Sequence, residues 1–152
     1  MILKEAKMND AAILVVDDNP DHLELIVMAL SECCDPMRIA TATDGVEALD
    51  YLFGRSIHSA RDNRRQPRLI ILDMKLVRMH GLDVLKAIRA DTRTATLPVL
   101  MHSSSTEKGD IAACYANGAN SYVRKATDYD ELRRKMRQAH DFWLTVNERS
   151  VG

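Results

Sequence analysis

The sequence predicts an α/β fold: a doubly wound, five-stranded parallel sheet in the order 2-1-3-4-5, with five helices. Short apolar runs at 12–16, 37–40, 69–72, 97–101 and 121–123 alternate with five segments of helical periodicity. The runs are β-branched or, as at 12–16 and 69–72, continuously apolar, as in strands buried on both faces, so a parallel sheet with helices on each side is expected. Right-handed crossovers then favour the doubly wound order, the simplest solution for such an alternation.

Each helix carries its own signals. Leu23, Ile26, Val27 and Leu30 fall at i, i+3, i+4 and i+7 behind Asn19 as N-cap and Pro20 at the first helical position. Asp44 and Glu47 form a capping-box pattern ahead of Val46, Leu49 and Phe53. Gly81 precedes a third helix with Leu82, Leu85 and Ile88 on one face, and a fourth runs from about Thr106 to the Asn117-Gly118 stop. The last starts near Thr127, with Asp130 three residues on, and carries Leu132, Met136, Ala139 and Trp143.

Length and composition fit one receptacle for this core, a domain at 11–141, with an N-terminal extension at 1–10 and a C-terminal apolar extension at 142–152. Lys and Arg number 21 against 22 for Asp and Glu, a net charge of -1 that leaves no electrostatic footprint for nucleic acid. The apolar runs are too short to cross a membrane, and residues 1–10 are too charged for a signal peptide. Cys33, Cys34 and Cys114 make no disulfide framework, so a reduced cytoplasmic chain is expected. The stretch 54–68 holds Arg55, Arg61, Arg64, Arg65 and Arg68 against Asp62 and reads as a solvated loop, with a docking surface for an acidic partner as the alternative.

In a doubly wound sheet, ligands bind beyond the carboxyl ends of the strands where the strand order reverses. Asp17 and Asp18 end the first strand and Asp73 ends the third, so three carboxylates converge there. At about 4 Å and an effective dielectric near 20, each like-charged pair costs roughly 4 kcal/mol. Such a cluster needs protons or a cation, and oxygen ligands suit a hard ion such as Mg²⁺. His22, His58, His80 and His140 share no metal-binding spacing, and His102, ending an apolar strand, reads as a core histidine.

Four motifs now stand at four strand ends: Val16-Asp17-Asp18-Asn19-Pro20, Leu72-Asp73 with Gly81 eight residues later, Ser103-Ser104, and the run from Gly118 to Lys125. Together, over roughly 12–140, they resemble the receiver domain of two-component response regulators. The resemblance implies a flavodoxin-like receiver fold and a phosphoryl group taken up on Asp73 as nucleophile. It implies Mg²⁺ held by Asp18, Asp73 and the Lys75 backbone carbonyl, with Asp17 acting through water. Lys125 would bond the phosphoryl group, Ser103 would donate its hydroxyl to it, and Tyr122 would be the switch aromatic. The partner implied is a sensor histidine kinase, and the chain is a signalling phosphoacceptor rather than an enzyme in the ordinary sense.

The pattern also departs from the family. Lys125-Ala126 replaces the usual Lys-Pro, and a non-proline cis bond costs about 3 kcal/mol, so a trans bond is expected. Val77 stands where proline is common, which leaves that loop more mobile. Lys75 either shields the aspartyl phosphate or points to solvent. These departures motivate the competing reading of a pseudo-receiver, a scaffold that binds partners without phosphorylation; intact Asp17, Asp18, Asp73 and Lys125 oppose it. A haloacid-dehalogenase-type phosphatase would want an acid where Lys75 stands, and Asp17-Asp18 would repel the phosphate of FMN.

No output domain is expected after the receiver, so output is expected through protein contact or onward phosphotransfer. The ending Phe142-Trp143-Leu144-Thr145-Val146, with the arginine-rich insertion, resembles small regulators that pair with phytochrome-type kinases, bacteriophytochromes included. Phe142, Leu144 and Val146 fall off the stripe of the last helix. A homodimer burying Phe142, Trp143, Leu144 and Val146 is therefore expected.

Overall fold

The computed structural model describes residues 11–61 and 65–150; the N-terminal extension at 1–10, and Asp62 and Arg64 of the arginine-rich stretch, lie outside them. The elements are β1 (Ile13–Val16), α1 (Pro20–Leu30), β2 (Ile39–Ala42), α2 (Gly45–Phe53), β3 (Leu69–Asp73), α3 (Gly81–Ala90), β4 (Val99–Ser103), α4 (Lys108–Ala116), β5 (Ser121–Arg124) and α5 (Tyr129–Asp141), which runs into a π-helical turn at Phe142–Val146. All strand pairs are parallel, in the order β2-β1-β3-β4-β5. The fold is thus the doubly wound sheet with five helices that the apolar pattern predicts.

Two apolar layers hold it together. On one face Leu14, Val16, Ile70, Leu72, Val99 and Met101 pack against Leu49 and Leu52 of α2 and Val84, Leu85 and Ile88 of α3. On the other, Ile13, Val15, Leu69, Ile71 and Leu100 meet Leu23, Ile26 and Leu30 of α1 and Leu132 and Met136 of α5. Every residue of β1, β3 and β4 is buried, which explains their unbroken apolar runs.

Several boundaries differ from the sequence expectation, each for a local reason. β2 lies at Ile39–Ala42 rather than 37–40, because Asp35 accepts the Met37 amide and Pro36–Arg38 closes a 3₁₀ turn first. β4 starts at Val99 rather than 97, since Pro98 lacks the N–H for the ladder, and runs on to Ser103. α4 starts at Lys108 with no side-chain cap, later than the expected Thr106. The cap of α5 is Asp128, accepting the Glu131 amide at 2.8 Å, while Glu131 reaches back to Thr127; the capping pair is shifted by one from Thr127 and Asp130. Asn19 and Asp44 cap α1 and α2 as expected.

Two apolar expectations change more. Leu144 is only 9% exposed and belongs to the α1/α5 core layer, so it is not free for a partner. The π turn supplies the reason: it places Leu144, five residues after Ala139, back over the core, and the core therefore passes the boundary expected at 141. The stretch 54–68 is not wholly a solvated loop either. Arg61 is buried, stacks its guanidinium 4.2 Å from the Tyr51 ring centroid and donates to the Leu52 carbonyl at 3.3 Å.

Candidate functional site

β1 and β3 are adjacent and in register, Val16 beside Leu72, so the residues that follow emerge together at the point where the strand order reverses. Asp17, Asp18 and Asp73 each offer a carboxylate oxygen within 4.8 Å of the others. Asp17 and Asp73 are 1% and 5% exposed, and Asp18 opens to solvent. The Asn19 amide donates to Asp17 Oδ1 at 2.9 Å and the Lys75 amide to Asp73 Oδ1 at 3.1 Å, which fixes both rotamers.

Lys125 reaches this pocket from the end of β5. Its Nζ donates to Asp73 Oδ2 at 2.8 Å and to Asp17 Oδ2 at 3.2 Å. Its own amide donates to the Ser103 carbonyl at 2.9 Å, and the described chain contains no cis peptide bond, so Lys125-Ala126 is trans. With alanine after it and a trans bond, the Lys125 ammonium reaches both carboxylates. Burial alone would lower the Lys125 pKa, yet the bonds to Asp73 and Asp17 carry it above its ordinary value. Burial pushes the Asp73 carboxyl up, against the pull of Lys125 and the Lys75 amide.

Three carboxylates face one ammonium, so the pocket holds a surplus of negative charge in a partly desolvated place. All the donors are oxygens, which fits a hard divalent cation and disfavours soft metals. The pocket can therefore hold a cation and present Asp73 as a nucleophile beside a fixed ammonium.

The remaining candidates fall around it. Ser103 ends β4, buried, with Oγ accepting the Ser105 amide at 3.2 Å; it is not the cap of α4. Tyr122 is half-buried and donates its hydroxyl to the Ser105 carbonyl at 2.8 Å. Ser105 thus joins the two switch candidates, and its own hydroxyl bonds Asp110, a link with no sequence motif to announce it. The Lys75 side chain points to solvent. Gly81 is required where it stands: a Cβ there would lie 2.3 Å from the Asp73 carbonyl oxygen. The Phe142–Val146 segment lies at the far end of α5, outside this pocket.

The model of the response regulator receiver domain matches residues 13–137, most of the chain. The chain belongs to this family. The receiver is 35% identical over 140 residues to the probable methanogenesis regulatory protein FilR2 of Methanothrix harundinacea, covering 92% of this chain and 87% of that protein. It resembles the phosphorylated cyanobacterial phytochrome response regulator RcpA at 29% identity and a TM-score of 0.83, covering 91% of this chain and 97% of RcpA. The bacteriophytochrome response regulator AtBRR superposes with a TM-score of 0.70 at 34% identity, over 90% and 96% of the two chains. Among the described residues of the receiver, no helix is long and apolar enough to cross a membrane.

Proposed function

We propose that this receiver accepts a phosphoryl group on Asp73 from a sensor histidine kinase and signals in the cytoplasm by protein contact. The observation that carries the reading is the Lys125 ammonium seated between Asp73 and Asp17 at the mouth of a three-carboxylate pocket. An Asp73 oxygen attacks phosphorus as the bond from phosphorus to the donor histidine nitrogen breaks, and the anionic aspartyl phosphate keeps Lys125 as its charge-assisted partner. Asp18, Asp73 and the Lys75 carbonyl would hold Mg²⁺ directly and Asp17 through water; the ion supplies positive charge to the phosphoryl oxygens. Ser103 turns its hydroxyl onto the phosphoryl group while still accepting from Ser105, and Tyr122 reads the resulting loop position. The phytochrome link named for RcpA and AtBRR supports a phytochrome-type kinase, a bacteriophytochrome included, as the phosphodonor.

Intact-mass spectrometry tests the reading. A small phosphodonor with Mg²⁺ should add one phosphoryl group, and EDTA should abolish the addition. No addition under either condition would leave the receiver as a phosphate-independent binding scaffold.

The homodimer is proposed on a narrower surface than the sequence suggests. Phe142 and Val146 are 48% and 65% exposed, and the Phe142 ring stands edge-on to Trp143 at 4.9 Å, whereas Leu144 is spent within the protomer. Light scattering should show a dimer at tens of micromolar, and Phe142→Glu with Val146→Glu should give a monomer that still takes up phosphoryl. A monomeric parent would rule the dimer out.

A further inference from the structure

The loop between β3 and α3 carries a left-handed turn and a forked ion pair to the start of α2. Arg78 has φ of 62°, a left-handed conformation rare for a residue with a side chain, and is one of two such non-glycine residues among those described. The Met79 amide donates to the Val77 carbonyl at 2.7 Å, which makes Arg78 the centre of a strained γ-turn. Strain of this kind persists only where the surroundings over-determine it.

The surroundings here are the packing of Leu76 and Met79 on the core and, on the solvent side, Asp44. The Arg78 guanidinium donates through Nε to Asp44 Oδ2 and through Nη2 to Asp44 Oδ1, both at 2.9 Å. That forked geometry fixes the direction of the arginine as well as its position. Asp44 is a firm anchor: it caps α2, accepts the Glu47 amide at 2.8 Å, and is far less exposed than Arg78. Partial burial pushes its carboxyl up, but the Glu47 amide and Arg78 together hold it below its ordinary value, so it stays charged. Elsewhere in the loop Lys75 and Val77 are exposed, while Leu76 and Met79, partly buried, pack against the core layer beneath.

We propose that the Asp44–Arg78 pair is a clamp on this loop, and that both are positioning residues for the cation and for Asp73. The clamp acts through Lys75, three residues before Arg78, whose amide fixes the Asp73 carboxylate. The same backbone orientation decides where the Lys75 carbonyl faces. This deepens the phosphoacceptor reading and rests on it. An exposed ion pair contributes little, and relaxation of the strained turn offsets its loss. Release of the clamp therefore leaves overall stability nearly unchanged while freeing the loop.

Asp44→Asn and Arg78→Asn test it, singly and together. Asparagine is as good an N-cap as aspartate and tolerates positive φ, so each change removes the fork while sparing the local backbone. Mn²⁺ titration followed by electron paramagnetic resonance should show about tenfold weaker binding in each variant. The double variant should be no worse than either single one, since both remove the same interaction. Amide exchange over residues 74–79 should speed up, the rate of phosphoryl uptake should fall, and the thermal midpoint should hold. Parental Mn²⁺ affinity in both single variants, or losses that add in the double, would overturn the clamp. A parent that binds Mn²⁺ but takes up no phosphoryl group sinks the phosphoacceptor reading while the Mn²⁺ comparison still judges the clamp; a parent that binds no Mn²⁺ overturns both.

Discussion

Asp73→Asn should fold as the parent does and take up no phosphoryl group at all. The substitution keeps the shape of the side chain but removes the anionic oxygen that attacks phosphorus. Lys125 is not stranded, because its second bond, to Asp17 at 3.2 Å, survives. The variant should also be more stable than the parent at neutral pH without metal. Burial raises the Asp73 carboxyl above its ordinary value, so the folded state holds that proton more tightly than the unfolded chain. The charged form therefore weakens the fold once the pH passes the folded value. Mg²⁺ should stabilise the parent more than the variant and narrow the gap. Mass spectrometry of digested protein should find the phosphoryl group on the peptide bearing Asp73. Label kept by the variant on Asp17 or Asp18 at the parental rate would count decisively against Asp73 as nucleophile.

The site was legible in the sequence to the extent that it is built from strand ends. Asp17, Asp73 and Ser103 sit where apolar runs stop, and a parallel sheet brings those stops to one edge. What stayed hidden depends on backbone conformation or on helix pitch. Arg78 gave no sign of its role, because positive φ is ordinarily signalled by glycine or asparagine, and its partner Asp44 lies on a different loop. Leu144 was misplaced because the 3.6-residue period fails inside a π turn, which adds a residue to the spacing and carries Leu144 inward. Arg61 was expected in water on composition alone; its aromatic and carbonyl partners are set by tertiary folding. The Ser105–Asp110 link joins a loop serine to an aspartate in the first turn of α4, with no sequence motif to mark it.

The histidine that ends β4 should make the receiver sensitive to mild acid. The sequence places His102 as a satisfied core histidine; it is in the core, 3% exposed, but among the described residues its Nε2 has no hydrogen-bond partner. Burial, reinforced by the nearby Lys125, lowers its pKa from 6.5 to about 4, against a weaker opposing pull from Asp17. Lys135 and His22 add to the lowering. The unfolded chain thus takes up this proton as the pH falls through 6.5, whereas the folded protein stays neutral until about 4. Over that window the unfolded state binds more protons, so stability is full above 6.5 and is lost as the pH drops. The loss attributable to His102 is about 2 kcal/mol between pH 7.5 and pH 5. Asp73 works the other way, its raised value favouring the folded state as the pH falls, so the comparison must be a difference between proteins rather than a slope in one. His102→Met keeps the volume close to that of the imidazole and removes the titration. Urea unfolding without metal should give a parent that loses about 2 kcal/mol more than the variant over this range. Parallel pH profiles for the two proteins would show that His102 is protonated as readily in the folded state as in the unfolded one.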